Sequence, residues 1–183
     1  MERKEAWDLL CHYLKNENLR RYCLAVEAIM RALARRFQED QDLWGLAGLL
    51  HDIDYELTKD RPEEHSLVGA RILEEKGLPT QVVYAVRAHN KIHGLPREDK
   101  TSQALFAADP LSGFIVAAAL ILPEKKLEKV DVPFLLNRYK EKSFARGASR
   151  EDMASCQELG LSLEDFMAIG LEAMKSIAAQ LGL

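Results

Sequence analysis

A His-Asp doublet, His51-Asp52, closes the apolar run Leu46-Ala47-Gly48-Leu49-Leu50. A charged carboxylate on such ground is costly unless it is paired or bound to a metal. Three further residues of the same chemical kind lie on apolar stripes. His65 falls in line with Val68, Gly69 and Ile72. His89 follows Val82 and Val86 by two turns and one turn, and Asp109 shares a helical face with Leu105, Ser112 and Val116. At helical spacing all of them face inward. Pro110 removes a backbone donor directly after Asp109, so the helix is expected to kink or restart there. An inward histidine taken alone is usually a hydrogen-bonded core residue, and an aspartate before proline is usually a helix start. The set changes that weighing. Inward histidines and apolar-flanked aspartates on separate helices need a common partner, and no matching set of buried Arg or Lys stands in the sequence. A divalent metal satisfies all of them at once, and imidazole with carboxylate oxygen suits Mn, Fe, Co, Zn or Ni better than Mg.

The elements that must position these residues read as helices throughout. Trp7, Leu10, Cys11 and Leu14 repeat at helical spacing, and Leu19 through Phe37 trace one long apolar stripe. Asp42 is expected to cap a third helix carrying Leu43, Leu46, Leu49 and Leu50. Arg61-Pro62-Glu63-Glu64 reads as the start of the helix that bears His65, and Gly77 as its C-terminal cap. Pro79 opens a helix ending near His89-Asn90, and Thr101 or Ser102 caps one running toward Leu122-Pro123. Val132 to Lys140 and Ser149 to Cys156 are shorter helices. Ser162 to Asp165 resembles a capping box before a last helix to about Gln180. No stretch alternates like a strand. The expected fold is all-α, a single-domain helical bundle over residues 1–183, with a core at about 18–122 and a helical extension, 123–183, packing on it.

Composition narrows the function classes. At 183 residues, with 48% hydrophobic and 30% charged residues, the chain can bury its own core, which excludes a disordered segment. Lys+Arg 25 against Asp+Glu 29 gives a net charge of −4, which lacks the electrostatic footprint of a nucleic-acid coater. Cys11, Cys23 and Cys156 are odd in number and far apart, so they form neither a zinc ribbon nor a disulfide framework. The run Gly113 to Pro123 is too short to span a bilayer. The charged start leads straight into helix-like sequence. A cytoplasmic protein is expected, with a small anionic phosphorylated partner, no nucleic-acid polymer and no membrane; a homodimer is compatible with the sequence.

The order His-Asp, His, His, Asp on successive helices resembles the HD superfamily of metal-dependent phosphohydrolases. The phrase from Trp44 to Tyr55 is close to the signature of its HDIG-type bacterial members, and the likeness extends through Glu64 to Ala70, Ala88-His89-Asn90 and Ala107 to Gly113. It covers roughly residues 18 to 120 and implies an HD-type bundle holding one or two divalent ions. It makes Asp52 the bridging ligand and assigns His51 and Asp109 to a first ion and His65 and His89 to a second. Asp52 and His51 are then the catalytic pair, with metal-activated water attacking a phosphoester of a nucleotide or dinucleotide. One position departs from the family. Its pattern usually begins with a His before a Leu-Ala-x-Glu-Ala-like stretch. Here Leu24-Ala25-Val26-Glu27-Ala28 is present, but Tyr22 stands where the His should fall. A phenol with a reference pKa of about 10 is a poor ligand. Tyr22 is expected as a core aromatic whose hydroxyl bonds to a neighbour, and the first metal site as weakened, with one ion surviving at Asp52, His65 and His89, two held loosely, or catalysis lost.

Candidate substrate contacts are His93, in the loop after His89, and Lys142 and Arg146, in the segment Lys140 to Ala148 ahead of a helix start at Ser149. A helix N-terminus with Arg and Lys is a ready phosphate site, although a solvated basic turn has the same composition. Asp54 and Glu56 follow the doublet and are placed to orient a ligand or water, although loop carboxylates are the commoner reading of such positions. The two leading readings of function are a metal-dependent phosphohydrolase and a catalytically impaired HD-domain protein that binds a nucleotide or metal as a regulatory module.

Overall fold

The long stripe from Leu19 to Phe37 becomes helix α2, Glu17–Phe37, in a computed structural model that describes residues 1–183. The Asn16 side chain accepts the Asn18 and Leu19 amides at its start, and Gln38 ends it in a left-handed turn. Helix α1, Arg3–Tyr13, precedes it, and α3, Gln41–Leu50, returns antiparallel after a tight connection. The cap of α3 is Asp40, not Asp42: the Asp40 carboxylate takes the Asp42 and Leu43 amides. The α2–α3 contact is the most intimate in the molecule. Gly48 makes it so, because a Cβ there would stand 2.9 Å from the Glu27 Cα.

The chain continues through a one-turn helix α4, Tyr55–Thr58, then α5, Leu67–Glu75, and α6, Thr80–Ala88. Helix α7, Lys100–Leu120, runs through the centre and packs against α2, α3 and α6. Its cap is Asp99, with Ser102 as the reciprocal partner, one turn earlier than expected. Pro110 lies inside α7 without ending it. The helix is long and apolar enough to cross a membrane by composition, yet most of that window is buried within the fold.

Beyond Leu120 come α8, Val132–Lys140, the five-residue α9, Arg150–Ala154, then α10, Leu163–Lys175, and α11, Ala178–Leu181. The last helix, expected to be continuous to about Gln180, is broken at Ser176–Ile177. The Ser162 cap is present, with its hydroxyl accepting the Asp165 amide. Helix α10 packs on α2, α7 and α8, and α11 on α2. There is no strand. One hydrophobic cluster runs from Ala6 to Leu181, so the C-terminal helices share the core of the earlier ones.

Candidate metal centre

Two helices end on histidines by the same local device. His51 is the C-cap of α3, and its Nδ1 lies 2.8 Å from the Gly48 carbonyl; His89 is the C-cap of α6, and its Nδ1 lies 2.6 Å from the Val86 carbonyl. A carbonyl only accepts, so Nδ1 carries a proton in both rings, and in the neutral rings that bind metal Nε2 is left bare. The negative end of each helix dipole also favours positive charge at this place.

His65 reaches the same tautomer by another route. It was expected on the helix that starts at Pro62, but residues 62–66 form turns and α5 begins only at Leu67. The reason is Asp54. Its buried carboxylate accepts His65 Nδ1 at 2.9 Å, the Ser66 amide at 2.8 Å and the Gly69 amide at 2.7 Å. Asp54 thereby caps α5 from a distance and turns His65 toward Asp52. Gly69 permits this approach, since a Cβ there would lie 3.1 Å from the Asp54 Cγ. Of the two readings the sequence offers for Asp54, the orienting carboxylate holds and the loop carboxylate does not. The signal available was its place two residues after the doublet, but its partners lie 11 to 15 residues away.

All three bare nitrogens converge on Asp52. Its Oδ1 lies 3.3 Å from His65 Nε2 and 3.6 Å from His89 Nε2, and its Oδ2 lies 3.4 Å from His51 Nε2. His51 Nε2 is also 3.5 Å from Asp109 Oδ1. Ligand atoms around one ion at about 2.1 Å stand roughly 3.0 to 3.4 Å apart, so the spacing suits a coordination shell. One ligand atom from each of His51, Asp52 and His89 lies within 4.8 Å of the others. The tightest set therefore draws together His51 and His89, which the sequence pattern allots to different ions. His51 Nε2 is buried and has no hydrogen-bond partner, which in a native structure calls for an ion or comparable group. The donor set, imidazole nitrogen with carboxylate oxygen, fits a divalent transition ion.

The electrostatics point the same way. Burial opposes charge on His51, yet Asp52 and Asp109 outweigh it and lift the ring to about 9. Burial also opposes charge on His65, and its contacts with Asp52 and Asp54 lift it to about 10. Burial pushes the Asp52 carboxyl up, but His51 with the His65 and His89 contacts brings it well below the carboxylate range. The cluster attracts positive charge from within a nearly dry site.

Tyr22 stands on α2 with its ring centroid 5.9 Å from that of His51. Its hydroxyl lies 2.5 Å from Asp109 Oδ1 and 2.8 Å from the Asp109 carbonyl oxygen. Burial and the Asp109 charge push the phenol well above its usual pKa, so it is a donor to Asp109.

The other expected contacts divide. His93 sits behind His65: its Nε2 lies 2.8 Å from the His65 carbonyl, which also accepts from Asn90 Nδ2 at 3.2 Å. Its ring edge is thus engaged with the backbone that carries His65. Glu56 accepts the Lys15 and Asn16 amides and pins α4 to the start of α2. Lys142 and Arg146 are exposed, without an ion pair or hydrogen bond of their own. The helix N-terminus expected to bind phosphate beside them does not offer a free anion site. Helix α9 has five residues, and Ser149 Oγ already accepts its Asp152 amide. The turn is held by Arg150, a residue sequence reasoning passed over. Its guanidinium donates to the carbonyls of Phe144, Ala145 and Ala148 and lies 4.6 Å from the Phe114 ring centroid. A cavity of about 360 Å³ separates Tyr22, Pro110 and Gly113 from Ala145, Gly147 and Ala148, which brings the basic turn to the flank of the cluster.

Comparison with known proteins agrees with this geometry. The HD domain family matches residues 22–113. An uncharacterized protein of Methanocaldococcus jannaschii is 34% identical over 143 residues, covering 72% of this chain and 82% of its own. Ribonuclease Y of Sulfurovum sp. is 28% identical over 165 residues, covering 88% of this chain and 32% of its own. A tRNA (cytidine(56)-2'-O)-methyltransferase of Thermoplasma volcanium is 28% identical over 149 residues, covering 78% of this chain and 42% of its own. The chain thus spans about a third of that ribonuclease Y. A match across half the chain, centred on the clustered histidines and aspartates, places the protein in the HD domain family.

Proposed function

We propose that this protein is a metal-dependent phosphohydrolase acting on a small phosphorylated molecule, a nucleotide or dinucleotide. The observation that carries the reading is Asp52, whose carboxylate faces the bare Nε2 atoms of three histidines inside a nearly dry site. His51, Asp52 and His89 would hold a divalent ion, with His65, 3.3 Å from Asp52 Oδ1, as a further ligand and Asp109 beside them. When bound, such an ion makes water nucleophilic near neutral pH and offsets charge on phosphoryl oxygens. The rest falls to the chain itself. Asp54, Gly48 and Val86 fix the imidazoles so that little reorganisation accompanies reaction. Asp109 is the most exposed of the cluster carboxylates, which leaves its side the more open to a phosphoryl group. Lys142 and Arg146 are exposed cations on the turn whose Ala145, Gly147 and Ala148 line the cavity, and they suit an anionic substrate.

Ribonuclease Y among the relatives makes an RNA phosphodiester the rival substrate. The test is turnover by the Mn²⁺-loaded protein on phosphomonoesters, nucleoside triphosphates, cyclic dinucleotides and short single-stranded RNA. Release of phosphate or nucleotide from the small substrates is expected. Faster cleavage of RNA would overturn the small-substrate reading. Binding of nucleotide without any turnover would replace it with the regulatory-module alternative.

A further inference from the structure

We infer that Tyr22 is a positioning residue that makes this a one-ion centre, by capping Asp109 and filling the corner of the site beside His51. The inference rests on the reading of the cluster as a metal centre. Tyr22 on α2 reaches Asp109 on α7, 87 residues away, and its hydroxyl proton is given to Oδ1. That oxygen is the one facing His51 Nε2 at 3.5 Å. An ion placed between His51 and Asp109 would therefore share its carboxylate oxygen with a hydrogen bond and would find a neutral phenol where a further donor is needed. Protonated phenol is a poor ligand for a divalent ion. On the other side, His51, Asp52 and His89 already bring three ligand atoms within 4.8 Å of one another. Nothing comparable completes a second set.

The tyrosine is also held in place. Its Cε2 lies 3.4 Å from where a Cβ on Gly113 would stand, so the ring lies against the backbone of α7. Both Asp109 oxygens within reach of the hydroxyl, the carboxylate and the carbonyl, belong to one residue. The phenol thus fixes the direction of the Asp109 side chain and keeps its Oδ1 engaged.

The experiment is Mn²⁺ titration calorimetry on the chelator-treated full chain, with frozen-solution Mn²⁺ electron paramagnetic resonance on the loaded protein. The wild type should take up one tight ion per chain and give the spectrum of isolated Mn²⁺. Tyr22→Phe keeps the ring and drops the hydroxyl. It should leave the affinity of the one tight ion within a few-fold of the wild type, because Asp109 is not among the residues that hold it, and should uncover a second, weaker uptake of Mn²⁺ as Asp109 Oδ1 is freed. Tyr22→His puts a nitrogen donor in that corner and should raise the count to two, with an exchange-coupled spectrum. Two ions of similar affinity in the wild type would overturn the inference. So would a Tyr22→Phe that shows no second uptake; this variant differs by one oxygen atom and decides the matter if Tyr22→His does not fold. A folded Tyr22→His that still binds one ion would overturn the claim that this residue sets the count. A wild type that binds one ion yet hydrolyses nothing would support the inference while overturning the phosphohydrolase reading.

Discussion

Two buried carboxylates on neighbouring elements meet opposite treatment. Glu27, on α2, is almost wholly buried, and its charge is fully answered. Arg3 gives it two hydrogen bonds at 2.7 and 2.8 Å, and Arg31 gives a third at 3.0 Å while also bonding Asp42. Asp52, just past the end of α3, is nearly as buried, but its neighbours are imidazole edges at 3.3 to 3.6 Å. In the neutral tautomers that the outer carbonyls and Asp54 favour, none of those contacts is a hydrogen bond; without an ion, the extra protons that His51 and His65 hold answer the charge. One network is closed by arginines, and the other by imidazole protons that a divalent ion can replace. One helix away from a carboxylate closed by two arginines, the fold surrounds Asp52 with imidazoles, a donor set that suits a divalent ion.

The contrast can be broken most severely at its centre. Asp52→Ala removes the group on which all three histidines converge, and no tight Mn²⁺ binding should remain by titration calorimetry, with phosphohydrolysis lost alongside. Retention of a full equivalent of metal would show that the histidines suffice. Glu27→Gln tests the closed network. It leaves arginine charge beside a buried amide, and because Arg3 is half exposed the cost should fall near the low end for broken buried pairs, about 3 kcal/mol by urea unfolding. Its Mn²⁺ affinity should match the wild type; a shared loss would mean the two networks are not independent. Asp54→Asn sharpens the comparison from the metal side. The amide still accepts from α5 but holds His65 less firmly, so Mn²⁺ affinity should fall about 10- to 100-fold, read by competition with a fluorescent chelator. The smallest effect belongs to Arg146→Ala. One exposed charge on a substrate-flanking turn should cost a few-fold in KM for an anionic substrate, on the order of 0.5 kcal/mol, with metal content unchanged. An equal effect on an uncharged ligand would assign the loss to the shape of the turn.

How much of this was legible depended on distance along the chain. The helical stripes are local signals, and α2, α3, α6 and α7 follow them closely. Apolar spacing told that these residues face inward and want a common partner; their grouping around Asp52 came from the family resemblance, and the distances bring the three histidines to Asp52 and Asp109 to His51. Non-local hydrogen bonding hid the rest. His65 looked helical because Val68, Gly69 and Ile72 follow it at the right offsets, yet Asp54 draws the Ser66 and Gly69 amides and starts the helix two residues later. Asp40 and Asp99 replaced the expected caps because in each case a carboxylate just upstream takes the free amides. Arg150 stabilises its turn through backbone carbonyls, which carry no sequence identity, so no residue pattern announced it. Tyr22 was visible as a departure, but only the hydrogen bond to Asp109 shows what the departure does.

Asp54 also bears on how the site exchanges its contents with solution. The protein backbone meets this carboxylate at two amides, Ser66 and Gly69, and the same carboxylate orients His65. A local opening of residues 55–66 would release one imidazole and leave His51 and His89 seated on their helix ends. Such openings cost less than global unfolding. They would give an ion held there a way in and out that leaves the core intact. Deuterium uptake at the Ser66 and Gly69 amides then becomes a clock for ion residence, slowing when the site is filled and tracking metal release when it is emptied.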